Sequence, residues 1–405
     1  MSVFYVIFIL FAAYYSYRYD RIEYYDSHKQ HRLWLMCAYM VCLTGFSYGL
    51  GGDKFTYMNE FENYPGSFNE AGDYIWIQFM LRGQMPLWTL VNVFAKVVFN
   101  SFYAVQLIQS ATVNIAVCYM VSKYTHRYFL FLLIYFFTLQ YFVFNTEIMR
   151  EGFALAFILL GMHGWMSHKK WLFFVMFPIG IMFHVSAAIT LLFPFATFKV
   201  SWKVLVIAFV TAFGIWLLSD ILLSKVMIAV LGGMGAMVQK VLFYSFRAST
   251  IFGFLRSAIT YLIFPFIIMY FTMQSEVSVE RRKSMERMIA YMLLLGVLAS
   301  AFAGFTRLFN YARIFYLILM ADFVYMLFRQ KTHLIIRVGT LMGTLFLIAL
   351  QYMVSYKTTN TYYYDYFYPY TCILDEDKSV YFREAAHAEA VDDEAEDDNV
   401  RNIEE

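Results

Sequence analysis

Hydrophobic residues run along this chain in blocks as long as a bilayer is thick, and polar residues gather between them. Blocks 128–144 (YFLFLLIYFFTLQYFVF) and 257–273 (SAITYLIFPFIIMYFTM) are the clearest. About 17–25 predominantly apolar residues carry a helix across the hydrocarbon core. The blocks predict crossing helices over 2–17, 33–50, 103–121, 128–144, 150–167, 171–183, 186–198, 203–222, 251–273, 288–304, 310–328 and 335–353. Segment 86–99 (PLWTLVNVFAKVVF) is apolar but short, and reads as an interfacial or re-entrant helix in a long loop, 51–102. Segment 171–198 is too long for one helix and contains Pro178 and Gly180. It reads as a hairpin turning near His184, with a single bent helix as the alternative.

The polar intervals give an orientation. Basic clusters fall at 18–32, 123–127, 168–170, 199–203, 281–287 and 329–337, and positive loops stay in the cytoplasm. Twelve crossings then put both termini outside. The first block has no basic residues before it, and Arg18 and Arg21 follow it. It therefore reads as a retained helix and not a cleaved signal. The outer face receives the 51–102 loop, a Gly-rich loop at 232–250, the 304–313 connection and a tyrosine-rich stretch after 353.

Composition agrees with this picture. Of 405 residues, 61% are hydrophobic and 15% charged, against about half and a quarter in soluble domains. The class is an all-α polytopic membrane protein, with no internal repeat and no soluble catalytic domain. The net charge of +2 conceals an asymmetry: residues 375–405 hold thirteen acids against Lys378, Arg383 and Arg401, leaving +12 on the rest. This predicts one membrane domain, 1–372, and an acidic disordered tail, 373–405. The four cysteines (37, 42, 118, 372) lack metal-type spacing. There is no outer DxD pair, Walker loop, HExxH or nucleophile elbow, so no metal, cofactor or nucleic acid is expected.

The chemistry falls to helix ends on the outer side. Arg150, Arg256, Arg307 and Arg313 stand there against the usual bias, and Arg247 lies in the outer loop. Guanidinium binds phosphate in a bidentate fashion at any relevant pH, which suits a lipid-linked phosphate or pyrophosphate. For Arg150, pairing with Glu147 or Glu151 on its own helix is the competing explanation. His184, Asp53 after the Gly51-Gly52 turn, and Glu147 are candidate bases. Each also has a plain structural reading, as a satisfied buried imidazole, a turn aspartate or an ion-pair partner. Tyr362, Tyr363, Tyr364, Tyr366, Tyr368 and Tyr370 crowd one outer stretch, mostly as interfacial belt, with some able to stack on sugars.

Together these elements resemble the EpsG branch of the Wzy-type bacterial exopolysaccharide and O-antigen polymerases. The matching pieces are Gly51, Asp53 and Tyr57; a helix start Met149-Arg150-Glu151, with Glu151 where that family usually has glutamine; Phe183, His184, Ser186 and Ala187; Arg313 and Tyr316; and Pro369-Tyr370. The resemblance implies a helical bundle like the integral-membrane (GT-C-like) glycosyltransferases in a bacterial inner membrane. It implies transfer of a growing glycan from undecaprenyl pyrophosphate to a sugar hydroxyl of a second lipid-linked repeat unit at the outer leaflet. Arg150, Arg256, Arg307 and Arg313 would hold the pyrophosphate. His184, Asp53 or Glu147 would take the proton, and Tyr57, Tyr316 and Tyr370 would contact sugar. Its partners would be lipid-linked oligosaccharides and membrane lipid, with a chain-length regulator left open. The competing functions are a flippase or exporter of the same glycan, and an O-antigen ligase or membrane acyltransferase.

Overall fold

Capping residues set where the helices begin. Asp26, Ser201 and Ser278 each accept a backbone N–H from the first turn of the helix they precede, satisfying a donor that has no partner within the helix. Pro86 occupies a first-turn position of its helix, and Asn100 closes that helix in the left-handed conformation. The computed structural model describes residues 3–51, 53–218, 250–276, 278–329, 367–368 and 370–374.

The order is α1 (Val3–Tyr19), α2 (Ser27–Gly45), α3 (Asp53–Glu62), α4 (Ala71–Arg82), α5 (Pro86–Phe99), α6 (Phe102–Tyr124), α7 (Tyr128–Phe137) and α8 (Gln140–Glu147). Then come α9 (Met149–Met166), α10 (Lys170–Phe183), a 3₁₀ segment (Val185–Phe195), α11 (Trp202–Leu217), α12 (Ile251–Ser275) and α13 (Val279–Ala301). A 3₁₀ turn (Ala303–Phe309) leads into α14 (Asn310–Arg329). Among the described residues there is no strand, and one isolated bridge joins Ser47 to Cys372.

This is an all-helical, multi-pass membrane protein. Among the described residues, four helical stretches are long and apolar enough to cross a bilayer: α6, α12, α13 and Gly304–Phe328. A fifth qualifies if α7 and α8 form one broken span. The other apolar helices, including α1, α10 and α11, are shorter. The expected crossing at 335–353, the loop with Arg247, Tyr362 to Tyr366, Pro369 and the tail from 375 onward lie outside the described residues.

Several expectations are corrected. The stretch 128–144 is not one helix: α7 and α8 meet at 85°. Thr138 returns its hydroxyl to the Ile134 carbonyl at 2.7 Å, and Leu139 takes a positive φ of 58°, a conformation that L side chains rarely adopt. No Gly or Pro marks this break. The 51–102 "loop" is largely helical, as α3, α4 and α5. The helix expected from 288 begins at Val279, so the basic cluster 281–287 forms its first turns. The segment after His184 winds as 3₁₀. At about 2.0 Å per residue, its eleven residues reach roughly 22 Å, where an α-helix would reach about 16 Å.

The chain reverses at His184. α10 lies along α9, with Gly164 against Leu172 and Gly180 against Ile158. The 3₁₀ segment then runs back, and beyond it the Val200 N–H bonds to Glu286 on α13. Three of the predicted basic clusters, 18–32, 123–127 and 281–287, meet at one end. There Lys29 donates to the carbonyls of Ile22 and His126, Arg127 pairs with Glu23 at 2.7 Å, and Arg281 pairs with Asp322 and Glu276.

At the opposite end the two ends of the described chain are stitched together. Tyr5 donates to the Phe367 carbonyl, the Tyr48 N–H to that of Thr371, and the Ile373 N–H to that of Phe46. Gln106 and the buried Lys54 donate to carbonyls between Thr44 and Ser47, the unsatisfied end of α2.

Candidate functional site

The site is assembled on the break between α8 and α9. The last turn of α8, Val143–Glu147, is π-wound, a distortion that often accompanies function. It is fixed from beneath: Gln109 donates to the Phe144 carbonyl at 2.7 Å, and Asn114 donates to Asn145 at 2.9 Å. It is fixed from above by the glycine turn. Gly51 has φ +92°, and a Cβ there would lie 2.8 Å from Thr146 Oγ1. Glu147 accepts the Asp53 backbone N–H at 3.2 Å, and so caps α3 with an anion where the helix dipole favours one. The Asp53 side chain is exposed.

Arg150 follows directly. Its guanidinium lies 5.2 Å from the centre of the Tyr57 ring, close to that phenol. Among the described residues no ion pair joins it to Glu147 or Glu151. Tyr57 is buried on α3 with its edge against Trp88. Burial pushes its phenol up to about 12, against the opposing charge of Arg150, so it stays protonated.

Glu151, the other flanking acid, is buried and points elsewhere. It accepts from Asn310 Nδ2 at 3.0 Å and feels the charge of Arg307. Arg307 itself is exposed. The neighbouring Tyr311 bonds to Ser186 at 2.9 Å, and Ser186 lies 2.6 Å from His184 Nδ1. Phe183 stacks on Phe153 with centroids 4.7 Å apart, so the His184 turn lies beside the mouth of α9.

Arg150, Tyr57, Asp53, Glu147, Arg307 and His184 are thus drawn around one helix mouth. Arg313 lies one turn along α14 from Asn310, buried, with Tyr261 and Phe309 beneath its guanidinium. Tyr261 belongs to a second π turn, Ile259–Ile263, and Tyr316 adds another phenol near Arg313. Among the described residues no carboxylate pairs with Arg313, and its Nε is buried without a partner. Two expected members are not joined to this cluster. Arg256 is exposed on α12, and Tyr370 packs on Phe4 and Tyr5.

Sequence reasoning missed Asn310, Tyr311, Gln109 and Gly152. A Cβ at Gly152 would strike the Phe144 carbonyl and lie 2.9 Å from Gln109 Nε2. Only Gly152, one turn inside a helix and next to a charged pair, left a signal in the sequence, because glycine there has a cost that close approach explains.

A polar cavity of about 580 Å³ lies at the basic end between His126, Arg127, Arg281, Asp322 and Tyr325. Its arginines are already engaged by Glu23, Glu276 and Asp322, so it offers an anion less than the Arg150 end does.

The fold and this end of it define a class: a helical membrane protein that presents guanidinium, imidazole and carboxylate groups together where helices end and break. The EpsG family model matches residues 32–372, which covers every element of the site. The chain belongs to the EpsG family. No curated protein and no solved structure matches it.

Proposed function

We propose that this protein polymerises an exopolysaccharide at the outer leaflet of a bacterial inner membrane. Membership of the EpsG family supports a membrane polymerase acting on lipid-linked saccharides. In this reading the Arg150 end faces outward and the basic end faces the cytoplasm. Residues 1–372 form one twelve-crossing domain of the GT-C-like kind, with both termini outside and an acidic tail.

The donor is a glycan on undecaprenyl pyrophosphate. The bond between its anomeric carbon and the phosphate oxygen breaks, and the electron pair leaves with the pyrophosphate. The acceptor sugar oxygen bonds to that carbon and gives its proton to a base drawn from Asp53, Glu147 and His184. Arg150, with Arg307 and Arg313, stabilises the charge on the leaving group, and preorganised donors matter most where charge develops. Arg256 and the tyrosines Tyr57, Tyr316 and Tyr370 extend the substrate surface.

The observation that carries this reading is Arg150. It is oriented by a phenol and left unneutralised by the two acids that flank it. The test is the profile of lipid-linked saccharides in cells with the parent protein, without it, and with Arg150→Ala at equal protein level. Single repeat units accumulating in the last two, with long glycan lost, is the expected result. Units retained on the cytoplasmic leaflet would instead identify a flippase, and long chains on lipid with unmodified acceptor a ligase. Normal chain length with Arg150→Ala would overturn the role given to that residue.

A further inference from the structure

The hydrogen bonds around His184 fix its tautomer as well as its position. The backbone N–H of Ser186 donates to Nδ1 at 3.3 Å, and the Ser186 hydroxyl lies 2.6 Å from the same nitrogen. A backbone N–H has no other role than donor, so Nδ1 is an acceptor. A proton on Nδ1 would face that hydrogen directly. The Ser186 hydroxyl therefore donates to Nδ1, and its oxygen accepts from Tyr311, 2.9 Å away. The bonds run one way: Tyr311 O–H to Ser186, Ser186 O–H to Nδ1. Tyr311 is anchored in turn, fully buried on α14 beside the Asn310–Glu151 contact.

A neutral imidazole carries one ring proton, and with Nδ1 accepting that proton is on Nε2. We infer that His184 enters the reaction as a hydrogen-bond donor through Nε2–H, toward an anionic phosphoryl oxygen of the departing carrier, and not as the base. Ser186 and Tyr311 are positioning residues that hold the tautomer. This rests on the polymerase reading above and narrows it. To act as base at Nε2 the ring would first have to move its proton to Nδ1, against the Ser186 N–H. The acceptor hydroxyl's proton passes instead to a carboxylate, Asp53 or Glu147. His184 keeps its own proton and shares it with the leaving oxygen.

The tautomer can be measured without turnover. Full-length protein with nitrogen-15 histidine is placed in lipid bilayers and its ring nitrogens are recorded by solid-state NMR. Subtracting the His184→Gln spectrum assigns the His184 ring. Protonated Nε2 with bare Nδ1 is expected, giving way to a mixture of tautomers in Ser186→Ala. A parent ring protonated on Nδ1 would overturn the inference, whatever the protein's activity. The second arm is chain extension. The glutamine amide places an N–H near the Nε2 position, so His184→Gln is expected within about tenfold of the parent, while His184→Ala falls about 100-fold. Equal losses in both, at parental protein level, would overturn the donor role. Cells lacking the protein are assayed alongside, and long glycan there would count against the polymerase reading and not against the tautomer.

Discussion

Arg150 faces the Tyr57 ring at 5.2 Å, while the two glutamates that bracket it in sequence look away. Glu147 is spent on the Asp53 N–H and Glu151 on Asn310. A charge at the end of an apolar helix needs a partner, and here a cation–π contact and a phenol supply only part of one. Glu60 adds a carboxylate charge at longer range, and in the proposed function the remaining anion-binding capacity serves the phosphate.

The planar fork of Arg150 is what this arrangement uses. Arg150→Lys is expected to extend glycan about as poorly as Arg150→Ala, because an ammonium neither lies flat over a ring nor grips phosphate at two points. Tyr57→Phe keeps the ring and loses the hydroxyl, for a loss of about tenfold, between the parent and Tyr57→Ala. Chain-length distributions at matched protein level decide this; parental chains from Arg150→Lys would refute it.

Arg313 separates stability from function. A buried guanidinium with no carboxylate partner among the described residues is costly to the fold. Arg313→Met is therefore expected to melt at or above the parental temperature in detergent while extension falls about 100-fold. A lower melting temperature would make Arg313 a structural residue.

Gly152→Ala tests the close contact of α9 with the π turn. The added methyl meets the Phe144 carbonyl and Gln109, and overpacking of this kind costs about 1–3 kcal/mol. A clear fall in melting temperature is expected, with reduced extension because Arg150 is displaced. An unchanged melting temperature would show that the contact is loose.

At the basic end, burial lowers the His126 imidazole to about 4, assisted by Arg281, Lys29 and Arg127 and opposed by Glu23. Its folded value is below its unfolded value, so its contribution is complete above about pH 6.5 and is lost as the pH falls toward 4. Asp20 acts in the opposite sense: burial raises its carboxyl to about 6, so its contribution is present below about pH 4 and lost as the pH rises through 6. His126→Asn removes the first effect alone. Between about pH 7 and about pH 5 the variant's melting temperature is expected to fall less than the parent's; equal falls would refute the assignment.

Orientation is checked by labelling. A cysteine placed beside the exposed Arg307 is expected to react with an impermeant thiol reagent from outside intact spheroplasts. Protection there would invert the proposed topology.

Periodicity and charge revealed the helical membrane architecture, the basic end and the turn at His184, because burial in lipid and the positive-inside bias act on whole segments. They did not reveal the break at Leu139, because Phe, Leu and Tyr surround it and the bend depends on a backbone conformation with no compositional mark. The grouping of Arg150, Asp53 and His184 was legible only as shared sidedness. That Glu147 would turn to a backbone N–H, and Glu151 to Asn310, depends on the π turn, which arises from tertiary packing on Gln109 and Asn114. Arg256 shows the converse: the same residue type at a similar helix end, and no contact with the cluster.

The stitch between Phe46–Tyr48 and Thr371–Ile373 bears on how the protein matures. The turn that presents Asp53 follows directly after Tyr48, and its neighbours are held by residues made more than three hundred positions later. A chain still leaving the ribosome therefore carries the arginines and the histidine in the membrane with the Asp53 turn unclasped. The Phe46–Tyr48 side of that turn is thus secured only once residues 371–373 have been made.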